Sequence, residues 1–213
     1  MLETISMRAG LAGAGTSSAA GALQAGWRDG LAVVNLRGDA ADAAFRSGVE
    51  CALGITLPVA ACTTSASELV RVVWAGPDDW FVIGPRGQAD AIVERLRAAL
   101  AGLHHAATDV SSGYTVLHLA GRPAREVLAQ GCPLDLHPRA FAPGQAAGSH
   151  WFKASIWLWQ VDTAPTYEVI ATLPDISREE LVVAQLYEAS HRRRRTVLEA
   201  IERQLKIKSP PRT

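Results

Sequence analysis

The chain of 213 residues balances 21 Lys and Arg against 21 Asp and Glu, with 48% apolar residues. That length and composition suit one large α+β domain with a sizeable core, and zero net charge gives no whole-molecule attraction to nucleic acid or an anionic surface. Cys51, Cys62 and Cys132 are too few and too far apart for a disulfide framework or a structural zinc, and no run approaches the ~18 apolar residues of a membrane span. The reading is a cytoplasmic protein with reduced thiols, binding neither membrane nor nucleic acid. Its charge is nevertheless uneven. Ser190–Thr213 carries eight Lys or Arg against two Glu.

Residues 1–30 read as a flexible N-terminal segment, Gly-, Ala- and Ser-rich from residue 8, with little to bury except Leu23 and Trp27 and at most one short helical turn. Leu31–Leu36 is a predicted strand closed by Gly38. Asp39 is placed to cap a helix whose apolar face is Ala41, Phe45, Val49 and Leu53, with Gly54 as the stop. Two apolar runs around Gly76-Pro77-Asp78-Asp79 predict a β-hairpin ending at Trp80–Gly84. A second helix is predicted over 88–100, its stripe being Ala89, Val93, Leu96 and Leu100.

Strands are predicted near 106–110 and 114–119, then a short helix over 123–130 with Pro123 in its first turn and Gly131 past its end. The run Cys132–Gly144 reads as a fixed loop, and a strand pair follows, its second half Trp151–Val161. On that strand Trp151, Trp157 and Trp159 are predicted to share one face. A last strand covers 166–172. Residues 173–213 form a basic C-terminal extension, predicted helical from the Ser177/Glu180 capping box to about Leu205.

Leu36, Gly38, Ala41, Phe45 and Gly48 are echoed 83 residues later by Leu119, Gly121, Ala124, Leu128 and Gly131. The echo predicts two intertwined β-α-β units within residues 31–172. About seven strands with three or four helices and several hairpins give an α+β class, with mixed or antiparallel sheets, packed helices and ferredoxin-like β-α-β units.

Catalysis requires a nucleophile, base or metal held by a neighbour. His104 and His105 cannot both face one ligand from a regular strand. Cys132 with His137 reads either as a thiolate and its partner or as a buried thiol beside a turn-capping imidazole. Asp78 and Asp79 sit where aspartates bond their own turn. The Gly-rich residues 9–21 match no phosphate-loop register, and Arg192–Arg195 lacks the interleaved aromatics of a nucleic-acid site. No catalytic, cofactor or metal residue is assigned. Six tryptophans remain, either as core or as a partner-covered patch.

The stretch Gly131-Cys132-Pro133-Leu134-Asp135-Leu136-His137-Pro138 through Phe141, followed by Leu158-Trp159-Gln160 and Tyr167-Glu168, resembles the gamma subunit family of heterotetrameric sarcosine oxidase. Gly76–Trp80, Asp109-Val110-Ser111 and Thr115–Leu117 agree with it. The resemblance spans about Leu31–Ala171 and implies a fold similar to folate-binding aminomethyltransferases. It implies a non-catalytic subunit that assembles with alpha, beta and delta subunits to demethylate sarcosine to glycine. FAD, FMN, NAD, tetrahydrofolate and zinc would then sit on those other subunits. Trp80, Cys132, Asp135, His137, Trp151, Trp157 and Trp159 are the implied interface candidates. The long, basic 173–213 segment departs from the family's short aromatic-containing ending. The competing reading is a folate-binding protein or one-carbon transferase acting alone.

Overall fold

The computed structural model describes residues 23–172 apart from Asp29. The described residues open with a strand, β1 (Gln24–Trp27), where the sequence predicts a loose segment or a helical turn. Gly26 disfavours helix by about 1 kcal/mol relative to Ala, and the pairing that a strand offers Trp27 wins. In β2 (Ala32–Gly38), Val33, Val34 and Leu36 are all enclosed, as expected of a strand covered on both faces.

Helix α1 (Ala43–Leu53) starts later than predicted. Asp39 closes a turn by accepting from the Ala41 N–H at 2.8 Å. Asp42 takes the cap instead, accepting from the Ala44 N–H at 2.8 Å. Phe45, Val49 and Leu53 are buried as predicted, and Gly54 at φ 70° forms the left-handed stop.

Strand β3 (Thr64–Ala66) precedes the predicted hairpin, β4 (Arg71–Gly76) and β5 (Asp79–Gly84). Helix α2 (Ala89–Ala99) buries Ile92, Val93 and Leu96 and is followed by β6 (His105–Asp109). After a single 3-10 turn come β7 (Tyr114–Ala120) and the short α3 (Ala124–Ala129). The chain then forms β8 (Ala146–Trp151), β9 (Ala154–Asp162) and β10 (Thr166–Thr172). The N-terminal residues 1–22 and the extension 173–213, with its predicted helix and Arg192–Arg195, lie outside the described residues.

Among the described residues ten strands form two antiparallel sheets, ordered β3-β4-β5-β2-β6 and β1-β7-β10-β9-β8. In the first, β2 and β4 both run antiparallel to β5, so they are parallel to one another and α1 joins them. In the same way β5 and β6 both oppose β2, and α2 joins them. These are two split β-α-β crossovers, the ferredoxin-like arrangement predicted from sequence. The second sheet repeats the first of these crossovers. Leu119, Gly121 and Leu128 reproduce the strand, glycine and buried helix contact of Leu36, Gly38 and Phe45. Strands β7 and β9 both run antiparallel to β10, so they are parallel to one another and α3 joins them, with β8 beyond β9 as β3 lies beyond β4.

Helices α1 and α2 cover one face of the first sheet around Leu36, Phe45, Trp80 and Leu96. Helix α3 and the loop after it cover one face of the second sheet around Leu128, Leu136, Phe141 and Leu158. The two uncovered faces meet each other in a third core that includes Val33, Phe81, Val116, Trp159 and Ile170. On one side the sheets are joined by backbone bonds. The Thr64 N–H donates to Gly144 and the Ala146 N–H to Cys62, both at 2.8 Å.

The tryptophan stripe requires correction. A two-residue turn at Phe152-Lys153 interrupts the predicted single strand, and Trp151 pairs with Ala154 across it. Trp151 therefore shares the helix-covered face with Ile156 and Leu158, whereas Trp157 and Trp159 point between the sheets. A reversal within the stretch resets the alternation that the prediction counted through.

Candidate functional site

The predicted interface residues divide by burial. Trp80 and Trp159 are fully enclosed and Cys132 is 5% exposed, so their side chains serve this chain's own cores. Trp80 Nε1 donates to the Pro58 carbonyl at 2.8 Å. Trp157 meets the Phe81 ring edge-on at 5.2 Å and is half-buried, as is Trp151. Asp135 and His137 are exposed. Asp135 Oδ1 accepts from the His137 N–H at 2.9 Å, and His137 Nδ1 accepts from the Arg139 N–H at 3.2 Å. His137 thus caps a turn, and the thiol of Cys132 lies 3.6 Å from Ser149 Oγ. The two form no nucleophile–base pair.

A polar cluster missed from sequence lies between the sheets. Glu168 on β10 points inward beside Trp159. Its Oε2 accepts from Trp159 Nε1 at 3.2 Å, and its Oε1 lies 2.9 Å from an Arg28 guanidinium nitrogen. His118 Nδ1, 3.8 Å from the same oxygen, finds no hydrogen-bond partner among the described residues. Burial pushes the Arg71 guanidinium below its ordinary value, and the Glu168 carboxylate opposes that shift. Arg71 donates to Thr64 Oγ1 at 3.2 Å. In the sequence Glu168 stood out only as part of the family likeness and as a carboxylate within an apolar strand, because Arg28 and Trp159 reach it through the fold.

Tyr114 at the edge of this core meets the Phe81 ring at 5.2 Å. Burial raises its phenol above the ordinary 10.0, and the Asp79 carboxylate adds to the rise. The unfolded chain then loses this proton first, so the stability Tyr114 contributes is intact below about pH 10 and declines above it. Tyr114→Phe is expected to flatten the alkaline fall in melting temperature. Parallel falls in the two proteins would show that Tyr114 does not cause it.

An open concavity of about 530 Å³ lies between Arg37–Asp39, Pro77–Asp78 and His104–Ala106. Several of its polar walls are engaged within the fold. Arg37 pairs with Asp78 at 3.0 Å, Asp39 holds its turn, and His105 Nδ1 faces the Leu103 carbonyl at 3.0 Å. Asp79 accepts from Asn35 Nδ2 at 2.6 Å, so the Asp78-Asp79 dyad is divided between two partners. Among the described residues no group of three or more His, Cys, Asp or Glu could hold a metal, and no helix is long and apolar enough to cross a membrane.

The architecture is an α+β sandwich similar in fold to an aminomethyltransferase. It matches the glycine cleavage system aminomethyltransferase T from Bartonella henselae at TM-score 0.51 and 16% identity, over 71% of this chain and 42% of that one. A heterotetrameric sarcosine oxidase from Corynebacterium sp. U-96, in complex with pyrrole 2-carboxylate, matches at TM-score 0.68 and 24% identity, over 76% of this chain and 84% of that one. Both likenesses concern the fold. The sarcosine oxidase gamma subunit of Arthrobacter sp is 33% identical over 147 residues, 68% of this chain and 70% of the relative. Its counterpart from Corynebacterium sp. (strain P-1) is 34% identical over 139 residues, 65% and 66% of the two chains. A model of the sarcosine oxidase, gamma subunit family matches residues 37–184. The chain belongs to that family.

Proposed function

We propose that this chain is the gamma subunit of a heterotetrameric sarcosine oxidase, serving assembly and stabilisation and contributing no catalytic residue. The observation that carries this is the family match across residues 37–184, from the end of β2 through β10 and beyond. The geometry supports the same reading. The polar groups that drew attention in the sequence are spent on turns, caps and internal pairs, and Glu168 is held by Arg28 and Trp159. On this proposal the partners are the alpha, beta and delta subunits. FAD, FMN, NAD, tetrahydrofolate and zinc are carried by those chains, and the complex works in the cytoplasm. The lone folate-binding or one-carbon transferase reading has no observation in its favour beyond the shared fold, which by itself assigns no activity.

Co-expressing the alpha, beta and delta subunits with and without this chain tests the proposal. The expected result is that omission lowers the yield of assembled, flavin-coloured enzyme, while the isolated chain turns over no sarcosine. Full assembly without it would overturn the assembly role.

A further inference from the structure

We propose that Phe152 is the docking anchor of this chain, seating in an apolar pocket rimmed by carboxylates on another subunit; this rests on the gamma-subunit reading. Two-residue hairpin turns that need a positive φ at their first position favour glycine there. Here that position, between β8 and β9, holds Phe152 at φ 53°. An aromatic side chain in this region is strained. Burial does not offset the strain, because Phe152 is 63% exposed. Strain held at an exposed side chain points to a use outside the fold.

The ring is also held in place. The Phe152 N–H donates to the Gly131 carbonyl at 2.9 Å, and the Trp151 ring stands 5.8 Å away. A Cβ on Gly131 would come within 2.8 Å of three Phe152 ring atoms, so the missing side chain of Gly131 is the seat of the ring. The family-like loop from Gly131 and the hairpin tip thus form one surface. Pre-positioned, solvent-facing aromatics are what interface anchors require.

Charge indicates the occupant. Lys153 adjoins Phe152 and is exposed. The layer outside the second sheet, residues 121–141 with Lys153, carries Arg122, Arg125, Arg139 and Lys153 against Glu126 and Asp135. This cationic excess complements a carboxylate rim. A second copy would bring the same excess against itself, which disfavours a symmetric dimer through this face.

The test co-expresses the full chain with tagged alpha, beta and delta subunits and compares the wild type with Phe152→Gly. The glycine relieves the turn while deleting the ring. The expected result is about a tenfold or greater loss of this chain from the purified complex, with a melting temperature no lower than wild type. Leu69→Ala, which removes another exposed apolar side chain, is expected to leave assembly unchanged. Phe152→Cys in a Cys51→Ser/Cys62→Ser background is expected to react with a maleimide at position 152 in the isolated chain and to be shielded in the complex. Wild-type recovery of Phe152→Gly would overturn the anchor and leave the gamma-subunit reading standing. Failure of the wild-type chain to assemble would overturn both. Shielding of position 152 in the isolated chain would assign the ring to this chain's own segments or a second copy, and overturn the proposed occupant.

Discussion

Trp80→Ala is expected to destabilise the protein by about 3–5 kcal/mol, the range for truncating a buried aromatic, a large share of a domain's net stability. Trp80 is fully enclosed on β5, with β2 and β4 on either side, and its ring lies 5.9 Å from that of Phe45. The truncation opens a cavity where α1 meets the sheet. It also removes the indole N–H that holds the Pro58 carbonyl at 2.8 Å, and so loosens the segment between α1 and β3. Trp80→Phe keeps most of the volume and is expected to lose about 1–2 kcal/mol, chiefly the hydrogen bond. Urea unfolding followed by far-UV circular dichroism separates the two. Equal losses would mean that the hydrogen bond dominates and packing against Phe45 contributes little.

Glu168→Ala is expected to be the second most damaging change, by about 2–3 kcal/mol, because it leaves a buried donor and partly buried cations without their acceptor. Trp159 Nε1 loses its partner inside the third core, and Arg71 loses the carboxylate that opposes its desolvation. The Arg28 pair adds less, since half of that side chain is in solvent and the attraction is screened. Glu168→Gln keeps an acceptor for Trp159 and removes the charge, and a loss of about 1 kcal/mol is expected. The same unfolding measurement applies. A Glu168→Ala protein as stable as wild type would show that the carboxylate does not stabilise the third core.

Where apolar spacing was long and regular, the fold was legible in advance. Helices α1 and α2 and the β4–β5 hairpin carry stripes such as Phe45/Val49/Leu53 and Val93/Leu96 that survive any small error in cap position. Strand β1 was not legible, because Gln-Ala-Gly-Trp has no strand pattern of its own and is ordered by pairing with β7. Strand β3 is three residues at a sheet edge, too short and too exposed to show an alternation. The tryptophan face was misread for a different reason. Phe152 occupies a turn position that normally announces itself with glycine, so the turn of the predicted strand pair was placed ahead of Trp151. The loop from Gly131 was legible as a family likeness, whereas the Glu168 cluster joins residues distant in sequence and had to await the fold.

Purifying the full-length chain through a tag from cells that also make the alpha, beta and delta subunits, then measuring native mass and the absorbance spectrum, tests the central claim most directly. The account predicts one assembly that contains all four chains and shows flavin absorbance. A stable, colourless chain recovered as a monomer without partners at micromolar concentration would contradict it.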